Sequence, residues 1–306
     1  MEKNFKNKII SNFIFAKLLN EKKSLMFTRR MFSIINRFTI TKKQIPSLFH
    51  NLEKQGVSSI LDYTNEKKSN HCKNYLELMN VIESYPNQYF AVKLSSLDVL
   101  KKHRVETYLQ NIVENAIQHN SKILIDAEQH LIQDKINTIS NQFVSHYNKK
   151  NVNIYKTYQM YRRDSLSVLQ HDLCSNERDF ALGIKLVRGA YYKEDKVHDI
   201  LYSTIKQTHH NYDTGIRLFT EKNLSKDVLM CATHNEKSTF LAKKIVPQHQ
   251  LQFAHLLGMS NKLSQQLADE KFQVFKYVPY GNFQDTIPYL LRRLYENYPM
   301  LMNIVK

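Results

Sequence analysis

The stretch "KILIDAEQHLIQDKINTISNQF", residues 122–143, holds one whole structural unit. It opens with KILID, a short run of branched apolar residues of the kind a buried strand needs. A polar turn follows. Then Leu131, Ile132, Ile136, Ile139 and Phe143 recur at the three-to-four spacing that gives a helix one apolar face. A strand whose chain returns along a helix is set to pair with a parallel neighbour, so the reading turns on how often the unit repeats.

It repeats along most of the chain. Comparable runs stand at 57–61 (VSSIL), 90–94 (FAVKL), 152–158 (VNIYKTY), 182–187 (LGIKLV), 228–232 (VLMCA), 251–254 (LQFA) and 273–278 (QVFKYV). With 122–126 these make eight. Most intervals are long enough for a helix, and the last two still hold a short one. Eight strand–helix units predict an α/β fold, a (β/α)8 TIM-type barrel, and 306 residues are sufficient for it.

The first 44 residues differ. "MEKNFKNKIISNFIFAKLLNEKKSLMFTRRMFSIINRF" carries nine Lys/Arg and only Glu2 and Glu21 as acids. It reads as a basic, helical N-terminal extension, either a mitochondrial presequence or an arm packed on the barrel of residues 45–306. The whole chain has 44 Lys+Arg against 28 Asp+Glu, a formal charge of +16, which favours anionic partners. A nucleic-acid binder of that charge would show basic and aromatic residues interleaved on one module, and none is found. Cys72, Cys174 and Cys231 are far apart and form no zinc-ligand spacing, which fits a reduced interior.

In such a barrel the active site lies where the strands end. The ends carry Lys93, then Asp126 with Glu128, Gln159, Lys185 with Arg188, Thr233-His234-Asn235, His255 and Tyr277. Ordinary turns would carry Gly, Asn, Asp and Ser there. Long, chemically competent side chains at so many exits point to a functional site.

Two chemistries compete for it. Asp126, Glu128, His130, His234 and His255 are enough ligands for a metal-dependent hydrolase, but no HExxH or His-x-His spacing supports one. Alternatively, Arg188-Gly189-Ala190 after a strand offers a cation and backbone N–H groups to a pyrophosphate. No GxGxxG is present, so a Rossmann unit is not supported. Near the C-terminus, "PYLLRRLYEN" (288–297) puts Leu290, Leu291 and Leu294 on one helix face. Tyr289, Arg292, Arg293 and Glu296 lie on another. Paired guanidiniums suit a carboxylate, while an Arg292–Glu296 pair on a wet surface is the plainer alternative. Helical geometry alone leaves both open.

Several segments in order resemble the proline dehydrogenase family: "VKLSSL" (92–97), "LIDAEQ" (124–129), "YKTYQMYRRDSL" (155–166) and "GIKLVRGAYY" (183–192), then "CATHNE" (231–236), "LLGMS" (256–260) and "YVPYGNFQDTIPYLLRRLYEN" (277–297). "KLVRGAYY" and "YLLRRLYEN" are the most specific, and the wording is closer to the mitochondrial branch. The resemblance implies an FAD-dependent enzyme that oxidises L-proline to 1-pyrroline-5-carboxylate by hydride transfer to flavin N5. It also implies a quinone acceptor, a mitochondrial setting at the inner membrane or matrix face, and an anionic membrane as peripheral partner. No metal and no nucleic acid is expected.

The same resemblance implies residue roles. Lys93, Asp126 and Tyr277 would be catalytic. Arg292 and Arg293 would grip the substrate carboxylate with Lys93, and Glu296 would hold an arginine. Tyr191, Tyr277 and Tyr289 would close the pocket, and Asp126 would orient Lys93. Asp126, Ala127, Gln159, Lys185, Val187, Gly189 and Ala190 would contact the flavin and pyrophosphate. Thr233, His234 and Asn235 would take the ribityl and adenosine side, and Thr204, Lys206 and Thr208 the adenosine end. His255 stands where the family usually has Gln, as a further flavin contact. A non-catalytic basic paralogue is the alternative, against which the intact catalytic positions argue.

Overall fold

A parallel strand covered by helices outside and by its neighbours' side chains inside is apolar on both faces, so it reads as a continuous run. Each of the eight runs is such a strand. The computed structural model describes residues 37–64, 70–174 and 178–281. Within them the strands are β1 (Ser58–Tyr63), β2 (Tyr89–Val92), β3 (Lys122–Ile125), β4 (Ile154–Gln159), β5 (Gly183–Val187), β6 (Val228–Ala232), β7 (Leu251–Leu256) and β8 (Gln273–Tyr280). All pair in parallel and in sequence order, and β8 closes on β1. The predicted (β/α)8 barrel is the observed fold.

The helices are α1 (Ile45–Glu53), α2 (His71–Ser84), α3 (Lys102–Gln118), α4 (His130–Tyr147), α5 (Ser165–Leu173), a short α6 (Tyr192–Asp195), α7 (Ile205–Lys222), α8 (Glu236–Ile245) and α9 (Asn261–Asp269). The stripe predicted on α4 turns Ile132, Ile136, Ile139 and Phe143 inward, and Leu131 stays exposed. Among the described residues no helix is long and apolar enough to cross a membrane. Residues 1–36, and with them most of the basic extension, lie outside the described residues, as do Tyr289, Arg292, Arg293 and Glu296.

Alternation along each strand splits the core in two. Ile60, Ala91, Leu124, Tyr155, Met230, Ala254 and Phe275 fill the barrel interior. Leu61, Phe90, Ile123, Ile184, Leu229, Phe253 and Val274 face outward and pack under the helices. At the N-terminal end of the barrel the polar contacts serve packing. Arg178 holds Asp227 through two bonds of 2.6 Å, and Asp227 also accepts the backbone N–H groups of Leu182 and Leu224. One buried carboxylate thereby ties the chain entering β5 to the turn entering β6. Chemistry is left to the opposite end.

Candidate active site

Two residues beyond each interior apolar position, the same alternation delivers a side chain to the mouth of the barrel. Ile60 is followed by Asp62, Ala91 by Lys93, Leu124 by Asp126, Tyr155 by Thr157 and Gln159, Gly183 by Lys185, and Phe275 by Tyr277. Six neighbouring strands thus supply one polar layer on top of the apolar one.

Asp126 is its hub. Lys185 Nζ donates to Oδ1 at 2.6 Å, and the Tyr277 hydroxyl donates to Oδ2 at 2.6 Å. Lys93 Nζ stands 3.9 Å from the same Oδ2, and its closer partner is Asp62 Oδ1. Lys185 Nζ also lies 4.8 Å from the centre of the Tyr277 ring. Burial alone would raise the Asp126 carboxyl. The charges of Lys185 and Lys93, with the Lys185 and Tyr277 bonds, outweigh it and hold the carboxyl below its usual range. Lys93 and Lys185 therefore meet Asp62 and Asp126 at the floor of the mouth, two basic side chains against two acidic ones. The expected orienting of Lys93 by Asp126 is shared, with Asp62 holding the ammonium directly.

Beside them, Gln159 is buried with both its amide oxygen and its amide nitrogen lacking a hydrogen-bond partner. Thr157 Oγ1 is in the same condition. A buried amide with nothing to bond costs on the order of 1–3 kcal/mol, so this pair of atoms is suited to a ligand with donors and acceptors on one edge. Glu128 is engaged differently. It accepts the Ser95 backbone N–H at 2.9 Å and the Ser95 hydroxyl, and burial nonetheless raises its carboxyl.

At the end of β5, Arg188 is held by neutral acceptors. It donates to His209 Nδ1 at 2.8 Å, to Thr233 Oγ1, and to Ser238 Oγ at 2.9 Å. A guanidinium positioned this way keeps its charge available for an anion. Gly189 has φ +134°, and a Cβ there would stand 2.3 Å from the Tyr161 ring. Only glycine lets the β4 and β5 turns close on each other. The Tyr161 hydroxyl donates to Asp195 Oδ2 at 2.5 Å, while Asp195 Oδ1 accepts the His130 N–H at 2.8 Å, so one buried acid joins three turns. Ala127 and Tyr191 are buried nearby in sequence, and Val187 and Ala190 half-buried.

The remaining expected residues fall in two groups. Thr233 is buried on Arg188, and Asn235 caps α8 by accepting the Ser238 N–H at 3.1 Å. His234 Nδ1 meets Ser260 Oγ at 2.8 Å. His255 pairs across the ladder with Lys276, and its Nδ1 meets Ser264 of α9 at 2.9 Å. It therefore lies one residue out of the interior register, on the helix-facing side, with Nε2 unpartnered. Burial, with nearby positive charge, pushes His234 down to about 4 and His255 down to about 3, so both are neutral at pH 7. Thr204 caps α7, Lys206 is exposed in its first turn, and the Thr208 hydroxyl donates to the Thr204 carbonyl at 3.5 Å. At that helix start Thr204 and Gln207 form a reciprocal capping box. Among the described residues no three His, Cys, Asp or Glu side chains converge as metal ligands.

Asp62 and Thr157 were not among the expected site residues. Carrying the alternation of the first strand two residues past Ile60 would have found Asp62, but "DYTNEKK" looks like a charged turn. Thr157 is the inward position between Tyr155 and Gln159, inside the strand rather than at its exit.

Comparison with known proteins agrees with the barrel fold. The family model described as proline dehydrogenase matches residues 47–302. A mitochondrial proline dehydrogenase 1 of Dictyostelium discoideum is 33% identical over 272 residues, covering 78% of this chain and 47% of that protein. A hydroxyproline dehydrogenase of Xenopus laevis is 30% identical over 216 residues, covering 65% of this chain and 46% of that protein. The chain thus spans about half the length of these relatives. Proline utilization A from Bdellovibrio bacteriovorus, solved after inactivation by N-propargylglycine, superposes with a TM-score of 0.78 at 16% identity. That match covers 92% of this chain and 35% of the other, and shows the shared fold. A closed eight-strand barrel and a family match across nearly all of it place the chain in the proline dehydrogenase family.

Proposed function

We propose that this protein oxidises L-proline to 1-pyrroline-5-carboxylate with bound FAD and passes the electrons to a quinone, as the first step of proline catabolism. The observation that carries the reading is the charged floor of the mouth, Lys93, Asp126, Lys185 and Tyr277, beside the unpartnered amide of Gln159. The donor set fits the cofactor. Gln159 offers a donor and an acceptor to a flavin ring edge, and Arg188 offers a charge to the pyrophosphate. Bound there, FAD supplies the hydride acceptor for oxidation at ring C5.

The chain's own residues do the positioning. Lys93 and the Arg292–Arg293 pair take the substrate carboxylate. Asp126 holds the Lys185 side chain at the floor and fixes the Tyr277 hydroxyl, so the ring of Tyr277 is held as a wall. Tyr191 and Tyr289 complete the enclosure and exclude water. Ala127, Val187, Gly189 and Ala190 are assigned to the flavin, Thr233, His234, Asn235 and His255 to the ribityl and adenosine side, and Thr204, Lys206 and Thr208 to the adenosine end. The barrel is taken as residues 45–306, with 1–44 as a separate basic segment. A mitochondrial location is supported by relatives described as mitochondrial, and the inner membrane or matrix face is part of the proposal.

The flavin-loaded protein should reduce a soluble quinone analogue when given L-proline, and no proline-dependent turnover would contradict the reading. Because a hydroxyproline dehydrogenase is also similar to this chain, the choice of substrate is a separate test. A bulky Tyr289 should favour proline, with kcat/KM roughly ten- to a hundredfold above that for 4-hydroxyproline. The opposite preference would remove Tyr289 from the pocket wall.

A further inference from the structure

Three turns at the mouth carry residues assigned above to the flavin: Ala127 after β3, Gln159 at the end of β4, and Gly189 with Ala190 after β5. Two buried side chains that the chemistry itself does not use join these turns. Tyr161 is 6% exposed and Asp195 0%. The Tyr161 hydroxyl donates to Asp195 Oδ2 at 2.5 Å, and the Tyr191 backbone bonds to the same hydroxyl. Asp195 Oδ1 accepts the His130 N–H at 2.8 Å, which reaches the turn after β3. The Asp195 N–H donates to the Tyr191 carbonyl at 2.9 Å. Burial, and then the Asp195 carboxylate, raises the Tyr161 hydroxyl above its ordinary pKa, so it remains a donor at neutral pH.

The segment after β5 is built around Tyr161. The Tyr161 N–H donates to the Arg188 carbonyl at 2.8 Å, and its carbonyl accepts the Tyr202 N–H at 2.9 Å. Its ring fills the space that a Cβ on Gly189 would need. Little else holds this segment in shape. α6 is four residues long, far too short to be stable by itself. From Tyr191 to His198 only Tyr191 and Asp195 are buried. Polar anchoring, rather than apolar packing, sets the turn. Tyr158, on β4, makes the same kind of bond for a different purpose. It is 3% exposed and donates to Asp172 Oδ2 of α5 at 2.8 Å, beneath the helices and away from the mouth.

We propose that Tyr161 and Asp195 are positioning residues for the flavin, holding the turns after β3, β4 and β5 at the spacing that one bound cofactor requires. Neither side chain touches cofactor or substrate in this role, which presupposes bound FAD as proposed above. Tyr191, assigned to the pocket wall, hangs on the same anchor, so proline binding should follow the cofactor contacts.

The test compares Tyr161→Phe and Asp195→Asn with Tyr158→Phe, each in the full-length, flavin-loaded protein. FAD affinity is read from the flavin fluorescence released on dilution, alongside thermal melting and proline turnover with a soluble acceptor at saturating FAD. Tyr161→Phe should raise the FAD Kd about tenfold and the KM for proline several-fold. Its kcat should fall less than about threefold, because Lys93, Asp126, Lys185 and Tyr277 are untouched. Asp195→Asn should do the same, since its N–H₂ group would face either the His130 N–H or the Tyr161 hydroxyl. If that variant does not fold, Tyr161→Phe decides alone. Tyr158→Phe should lower the melting temperature by a similar amount and leave both constants as in the unaltered protein. An unchanged FAD Kd in Tyr161→Phe, or an equal loss of affinity in Tyr158→Phe, would overturn the proposal and leave the pair to stability alone. Either result leaves the flavin reading standing, whereas an unaltered protein that binds no FAD would overturn both.

Discussion

Asp126→Asn should abolish most of the activity and destabilise the barrel. The substitution keeps the shape of the side chain but removes the charge that both ammonium groups face. Its amide would aim an N–H₂ group either at Lys185 Nζ or at the Tyr277 hydroxyl, both of which now donate to carboxylate oxygens at 2.6 Å. Removing one partner of a buried charge pair costs about 3–5 kcal/mol, because the other is left uncompensated. A thermal melt should show the loss as several degrees, and kcat/KM for proline should fall at least about a hundredfold. The acid limb of stability should change too. A carboxyl held below its ordinary pKa contributes stability that is present above the unfolded value and lost as the pH falls through the folded one. The variant should lack that contribution. Near-normal stability and turnover would mean that Asp126 is not the hub.

Arg292→Met should raise the KM for proline strongly while flavin stays bound. Arg292 lies outside the described residues, and its expected effect follows from guanidinium chemistry. A guanidinium gives a carboxylate two parallel charge-assisted bonds, each worth about 1.5–3 kcal/mol, and methionine keeps the length without the donors. Loss of that grip should cost roughly a hundredfold in KM. An unchanged KM would take Arg292 out of the substrate site.

Much of the barrel was legible because parallel strands buried on both faces leave continuous apolar runs. VLMCA coincides with β6, and KILID exceeds β3 by one residue, Asp126, which is the hub itself. The candidate site was legible where the residue just past a strand end also continues its inward alternation, as at Lys93 and Asp126, whereas Tyr277 lies inside β8. Facing was harder to read. His255 and Tyr277 both look like strand ends, but only the interior cluster shows that Tyr277 follows Phe275 inward while His255 turns to α9. Partners distant in sequence were illegible for a different reason. Lys93 meets Asp62 through the stagger between β1 and β2, and Arg188 meets Ser238 across β6. Those contacts follow from barrel closure, which no local pattern encodes.

Flavin-dependent proline oxidation is tested most directly by the visible spectrum of the purified, flavin-loaded protein under anaerobic conditions as L-proline is added. Flavin absorption bands should bleach with proline and return when a quinone analogue is supplied. A protein that binds no flavin, or whose flavin bands stay unchanged at saturating proline, would contradict it.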